Sequence, residues 1–328
     1  MCGLSGQVHE AAHRLLAHCG CLKSGESVLI IHDDATAGIA AIVAKAAARL
    51  TNSIGIRAIP TAAMHGTEPP TAVAQEMSAA DLVVGLTYTS MAHTSARRLA
   101  SERGARYLSL PEYSASVLSS PALAIDYYER ASLVRRFADA FTAADTVRVT
   151  SALGTDVRLD IAGRAGNCCP GFVAAPGELG SPPDIEANVS PLEFASEGTI
   201  VVDGSIPCRE IVLLAQPVHL TIERGRIVRI ESADASLRMI LEGLFDRAAS
   251  EKAYVLAECG VGLNEAAELN GTMLMDEGAQ GCVHFGFGSN ATVGGQNDVS
   301  FHLDFVIRQP SLWIDDQPWI RQGNPTPW

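Results

Sequence analysis

Glu26-Ser27-Val28-Leu29-Ile30-Ile31-His32-Asp33-Asp34-Ala35-Thr36 opens the segment whose reading decides the fold class, and it runs on into an alanine-rich stretch ending at Leu50. Residues 26–31 are a short apolar run, as expected of a buried strand, and residues 36–50 are long and alanine-rich enough for a helix. The alternation continues outward. Residues 54–59, 81–86 and 106–110 read as strands, and residues 95–103 and 127–141 as helices. Such alternation predicts an α/β layer with parallel strands over residues 1–145, Rossmann-like in layout only. No G-x-x-x-x-G-K-[ST] loop is present, and no G-x-G-x-x-G follows the first strand, so nucleotide chemistry has no sequence support. That strand ends instead in His32-Asp33-Asp34. These residues are either functional, at a strand's carboxyl end, or local, with Asp34 capping the next helix.

The texture changes after residue 145. Residues 146–151 and 157–161 flank Leu153-Gly154-Thr155-Asp156 and read as a hairpin, whereas residues 166–183 are rich in Gly and Pro and read as a loop. Residues 198–203, 210–214 and 218–223 are strand-like, the last turning at Arg224-Gly225 into 227–230, and residues 236–249 predict a helix. Residues 146–328 are therefore expected to form a β-rich α+β domain, and the candidate metal-binding residues described below all fall within it.

A formal net charge of −13 argues against a general nucleic-acid binder, which needs clustered Lys and Arg to neutralise phosphates. No apolar run approaches the length of a spanning helix, and Met1-Cys2-Gly3-Leu4 lacks the basic and apolar regions of a signal peptide. The expectation is a cytoplasmic protein with a small-molecule or short-peptide substrate. None of the eight cysteines forms a C-x-x-C pair. Most are expected to pack as small hydrophobes, with Cys259 and Cys282 close enough to the candidate site for chemistry to stay open.

The chemistry gathers in the second half. In Gly294-Gly295-Gln296-Asn297-Asp298-Val299-Ser300-Phe301-His302-Leu303-Asp304-Phe305, a glycine-rich turn enters a β-type run. His302 and Asp304, two apart on a strand, project from one face and can reach one ion. His284 lies in an otherwise apolar and small-residue context, and Asp276-Glu277 follow Met273-Leu274-Met275, where an acidic helix N-terminus is the plainer reading. Glu258 ends an apolar run before Cys259-Gly260-Val261-Gly262, a placement costly without a partner, and Glu186 sits similarly before Val189-Ser190-Pro191. Glu186, Glu258, Glu277, His284, His302 and Asp304 together are oxygen and imidazole donors suited to zinc, manganese, cobalt or iron, and enough for two ions sharing a carboxylate.

At these residues the sequence resembles the thermophilic metallo-aminopeptidases of the aminopeptidase T and aminopeptidase S type. Thr155-Asp156 with Gly163-Arg164, Asp184 through Pro191 with Glu197-Gly198-Thr199-Ile200, Asp276-Glu277 through His284 and Gly288, and Gly295 through Asp304 are similar to that family's motifs. The resemblance implies glutamate ligands at Glu186, Glu258 and Glu277, joined by His284, His302 and Asp304, in a homodimer. The stretch from Asp276 to His284 is two residues longer than the family pattern. Ser289-Asn290-Ala291 stands where those enzymes carry a tyrosine.

The ending G-G-x-N…H-x-D also resembles the 2,5-dihydroxypyridine dioxygenases, which implies a single iron held by a His-His-carboxylate set. Here Glu258 stands where that set opens with a histidine.

The leading expectation is a dinuclear metallohydrolase of amide or peptide bonds, a zinc, cobalt or manganese metallopeptidase. Glu258 bridges the ions in this reading, and Glu186 is a further ligand or the general base. Asn290 or Asn297 replaces the missing tyrosine as an oxyanion donor. The alternative is a mononuclear iron(II) dioxygenase that opens a small N-heterocycle, using His302, Asp304 and one further ligand. A third reading is a non-catalytic binding protein. Trp319 and Trp328 fall in a Pro-rich tail that either packs on a neighbouring subunit or frays.

Overall fold

The computed structural model describes residues 2–327, so Met1 and Trp328, which the signal-peptide and tail readings invoked, lie outside the described residues. The chain forms two compact units: residues up to Tyr127 together with Gly171–Pro183, and Tyr128–Pro170 together with the chain from Asp184 onward. This differs from a single cut at residue 145. The helix Tyr127–Ala143 goes almost wholly with the second unit, and Leu179–Gly180 returns to the first as a strand.

Five parallel strands make the sheet of the first unit, in the order Ser53–Ala58, Ser27–His32, Leu82–Leu86, Arg106–Ser109, Leu179–Gly180. Val28–Ile31 and Leu82–Leu86 are buried throughout, which is why both are continuous apolar runs rather than alternating ones. Helices Ala37–Ala47, Thr71–Met77 and Ser95–Glu102 connect them. At the end of the first strand it is Asp33, not Asp34, that holds the following helix. The Asp33 carboxylate is buried and accepts from Thr36 N, Thr36 Oγ1 and, at 2.7 Å, Tyr88 N, while Asp34 is exposed. With those contacts made, Asp33 ties two strand ends together and has no oxygen left over for a ligand.

The second unit contains two antiparallel sheets. One has eight strands in the order Arg226–Ser232, Val218–Glu223, Glu197–Val202, Asp156–Asp160, Thr146–Thr150, Ser311–Ile314, Gln317–Arg321, Asn324–Pro325. The Pro-rich terminus is thus part of a sheet, with Trp319 seated edge-on against Phe137 at 5.1 Å.

The other sheet has seven strands, ordered Val212–Leu213, Ser205–Ile206, His302–Arg308, Cys282–Gly288, Leu256–Gly262, Glu186–Val189, Gly166–Cys169. Residues 166–169, read from sequence as loop, pair with Glu186–Val189. Composition concealed the strand, because Gly and Cys carry no β signal, and only the partner strand supplies the reason for extended backbone. The edge segment shrinks to Val212–Leu213, where Val212 takes φ 64°, a conformation a β-branched residue rarely adopts.

One face of this sheet packs on the helix Ala235–Arg247. Asp234 caps that helix by accepting from Ser236 N and Leu237 N, worth about 1 kcal/mol. Phe245 stacks on Tyr254 at 4.5 Å and lies 6.4 Å from Phe305, which meets Phe287 edge-on at 5.3 Å. Each buried ring contributes about 1.5–3 kcal/mol, so this aromatic layer fixes the sheet whose other face carries the chemistry. No helix among the described residues is long and apolar enough to cross a membrane.

Candidate metal centre

Four adjacent strands of the seven-stranded sheet deliver five of the six candidate donors to one face. Glu186 begins the strand Glu186–Val189; Glu258 lies on Leu256–Gly262, His284 on Cys282–Gly288, and His302 with Asp304 on His302–Arg308. Alternation sends Cys259, Phe285, Phe287 and Phe305 to the other face. The register then places a glycine opposite each functional side chain: Gly262 faces Glu186, Gly286 faces both Glu258 and Asp304, Gly260 faces His284, and Gly288 faces His302.

These glycines leave the room in which the rings lie. A Cβ on Gly260 would stand 2.1 Å from His284 Nε2, and one on Gly286 would stand 2.7 Å from His302 Nε2 and 3.0 Å from Asp304 Oδ1. All three distances are shorter than ordinary van der Waals contact, and those to the two rings are too short for the rings to stay where they stand.

Among the described residues two groups of three donors converge, Glu186 with Glu258 and His284, and Glu258 with His302 and Asp304, each set with its ligand atoms within 4.8 Å of one another. Glu258 belongs to both. Its Oε1 is 3.9 Å from His284 Nε2 and its Oε2 is 3.6 Å from His302 Nε2. His302 Nε2 is also 3.3 Å from Asp304 Oδ1, and His284 Nε2 is 3.2 Å from Glu186 Oε2.

The two histidines differ at their other nitrogen. His302 Nδ1 donates to the carbonyl oxygen of Ser289 at 2.8 Å, which turns Nε2 toward Glu258 and Asp304, where it donates to Asp304 and, once deprotonated, offers its lone pair to an ion. His284 Nδ1 is buried with no hydrogen-bond partner, so a proton on that ring belongs on Nε2, facing Glu186.

Electrostatics shows what the cluster lacks. Burial acts to lower both imidazoles, yet the surrounding carboxylates outweigh it: Glu186, Glu258 and Asp304 carry His284 up to about 9, and Asp304 with Glu258 carries His302 up to about 10. Burial pushes the Glu186 carboxyl up to about 7, with His284 opposing and Glu258 adding. Burial, with Asp304, Glu186 and Asp184 beside it, drives Glu277 well above the usual carboxylate range. Asp304 is held far below that range: burial works against its charge, but His302, His284 and a hydrogen bond from Glu277 prevail. Glu277 therefore keeps a proton and donates it to Asp304.

So many carboxylates in one buried place call for a cation, because an uncompensated buried charge costs several kcal/mol. Two carboxyl oxygens, Glu186 Oε2 and Asp184 Oδ1, are buried without a hydrogen bond. Oxygen donors with an imidazole suit a divalent ion such as iron(II), manganese or zinc. The residues present fit a metal.

Several neighbours escaped the sequence reading. Asp184, Asn188, Asn167 and Cys169 all belong to this region, with Cys169 directly opposite Glu186 and Asn167 opposite Asn188. The signal that could have revealed the sheet face was the alternation itself, E-C-G-V-G from Glu258 and H-F-G-F-G from His284, with a glycine at every second position. Asp276 is structural: it is fully buried and its carboxylate accepts from Asn270 N and Gly271 N, closing the turn ahead of the short helix Met273–Gly278. Cys259 and Cys282 are buried thiols, pushed up by burial, with Cys282 reaching about 12. They pack.

Asn290 and Asn297 cannot serve as oxyanion donors, because their amides hold the loop 289–301. Asn290 Nδ2 donates to Ser190 Oγ and Glu193 Oε1, and its Oδ1 accepts from Asn297 N at 2.7 Å. Asn297 Nδ2 donates to Lys252 O and Gly288 O. Arg164 pairs with Glu193 and reaches Gly294 O, which secures the loop from outside.

Comparison with known proteins places this geometry. The NicX family model, described as 2,5-dihydroxypyridine 5,6-dioxygenase, matches residues 7–327. Among solved structures, the 2,5-dihydroxypyridine dioxygenase of Pseudomonas putida KT2440 is similar with a TM-score of 0.84 at 22% identity, covering 98% of this chain and 97% of that one. AmpT of Thermus thermophilus is similar with a TM-score of 0.68 at 13% identity, over 98% and 99% of the two chains. No curated protein matches. Both structural likenesses describe a shared mixed α/β fold with several sheets. The whole-chain family match overturns the expectation of a hydrolase, metallopeptidase or aminopeptidase and favours the alternative, oxygen chemistry. The motifs quoted for the aminopeptidases occur on a fold common to both groups, so they could not separate the two activities.

Proposed function

Because the chain belongs to the 2,5-dihydroxypyridine 5,6-dioxygenase family, we propose that it is a ring-opening dioxygenase of a small hydroxylated N-heterocycle, with one iron(II) held by Glu258, His302 and Asp304. The observation that carries the metal assignment is the hydrogen bond from His302 Nδ1 to Ser289 O, which turns Nε2 toward Glu258 and Asp304. Bound iron(II) supplies the one-electron chemistry that lets ground-state oxygen react with the ring.

The remaining groups are the protein's own contribution. Glu277 steadies Asp304 by hydrogen bonding. Glu186 Oε2, unpartnered apart from its approach to His284 Nε2, is placed to take a proton from a ring hydroxyl, with the His284 Nε2–H beside it to hold the carboxylate in place. Glu258 replaces one imidazole of a His-His-carboxylate set by a carboxylate. That carboxylate would add negative charge around a bound iron(II).

A two-ion reading has one observation behind it, the approach of the two Glu258 oxygens to different histidines. Metal analysis separates the readings. After anaerobic loading with iron(II), the expected content is one iron per chain. Addition of 2,5-dihydroxypyridine in 18O2 is expected to consume oxygen and place both labelled atoms in the opened product. Two irons per chain would favour the bridged centre. No oxygen uptake with any hydroxylated pyridine, on protein shown to hold its iron, would sink the dioxygenase reading.

A further inference from the structure

Glu186 has one oxygen that is held and one that is not. Its Oε1 accepts from Asn188 Nδ2 at 2.7 Å, and Asn188 Oδ1 accepts from Asn167 Nδ2 at 2.7 Å. The same Asn167 nitrogen donates to Val293 O at 3.0 Å, inside the loop between the His284 and His302 strands. We infer that Asn167 and Asn188 are positioning residues that hold Glu186 Oε2 toward His284 and tie that orientation to the loop whose Ser289 carbonyl orients His302. The inference rests on the metal-centre reading only in treating Glu186 as a functional group.

The amide orientations follow from the ends of the chain of bonds. Val293 O can only accept, so Asn167 must present its nitrogen there, and that NH2 has a second hydrogen for Asn188. Asn188 must then offer its oxygen to Asn167, which leaves its nitrogen for Glu186. Asn188 is 3% exposed and lies opposite Gly260 on one side and Asn167 on the other. An apolar residue would fill that place without the cost of burying an amide, so packing alone does not explain an asparagine there.

Glu186 also needs the restraint. Glu258 and Asp304 both repel its carboxylate, and without a donor on Oε1 the group is free to turn away from them. One loop therefore orients both sides of the site, His302 through Ser289 and Glu186 through Val293, Asn167 and Asn188.

The test compares Asn188→Ala and Asn167→Ala with the parent as iron-loaded enzymes, by steady-state kinetics with 2,5-dihydroxypyridine and by anaerobic crystallography. In both variants the Glu186 carboxylate is expected to leave its place facing His284, with kcat lowered about 10- to 100-fold and with KM and iron content close to those of the parent. Glu186 unmoved in both structures would overturn the inference, and so would KM, iron content and thermal stability falling in parallel with kcat, the mark of a merely structural role. Should Asn188→Ala fail to fold, Asn167→Ala, at the less buried end, carries the test. Should the parent consume no oxygen, the functional reading fails while the position of Glu186 still decides this one.

Discussion

His302 and His284 are one residue type on adjacent strands, yet the partner of Nδ1 separates their tasks. His302 donates Nδ1 to Ser289 O, and His284 has no acceptor there. The expected outcome follows residue by residue. His302→Ala loses iron, whereas His284→Gln retains iron and loses turnover; metal analysis beside oxygen uptake checks both, and the reverse pattern would exchange the assignments. Gly260→Ala tests the room left for the ring. Its new Cβ, 2.1 Å from His284 Nε2, cannot coexist with the ring where it stands. Overpacking of this kind costs about 1–3 kcal/mol, so the variant is expected to fold with a lowered Tm and a displaced His284, visible in a crystal structure. Five of the residues that converge, Glu186, Glu258, His284, His302 and Asp304, could be named as candidates from sequence, because carboxylates and histidines among small and apolar neighbours are costly without a purpose. Their division of labour could not, since Ser289 and His302 meet only after the loop folds back.

The loop 289–301 is the element on which the centre depends, and it is pinned at many points. Asn290 accepts from Asn297 N and donates to Ser190 Oγ and Glu193 Oε1, while Arg164 braces Glu193. Asn290→Ala removes these bonds and leaves buried groups unsatisfied, a loss of about 1–3 kcal/mol per stranded group. Hydrogen exchange is expected to quicken across 289–301 and not in the strand Leu256–Gly262. Uniform protection would show that the loop does not depend on Asn290. From the sequence the same asparagines are amides in a glycine-rich turn, equally suited to a ligand or to a turn. The strand Gly166–Cys169 was hidden for a related reason: its extended backbone is a response to Glu186–Val189 beside it.

For the whole molecule, the surplus of buried carboxylates makes metal and stability one question. An ion at a hundredfold excess over its Kd adds about 2.7 kcal/mol. Calorimetry of chelated protein is therefore expected to show a Tm several degrees lower, restored by iron(II); a Tm indifferent to iron would count against a buried metal centre. By itself the sequence determined the alternation of strand and helix in the first half and the β-rich second half, and it offered Glu186, Glu258, Glu277, His284, His302 and Asp304 as candidate donors while leaving open the choice between hydrolysis and oxygen chemistry. Periodicity and the cost of buried charge are local properties, and they survive in a string of letters. Only the tertiary structure decided the register that sets glycines opposite those side chains, the return of Gly171–Pro183 to the first unit, and the sharing of Glu258 between two histidines. Those features arise between residues far apart in the chain, where one position's slip in register would turn every donor to the opposite face.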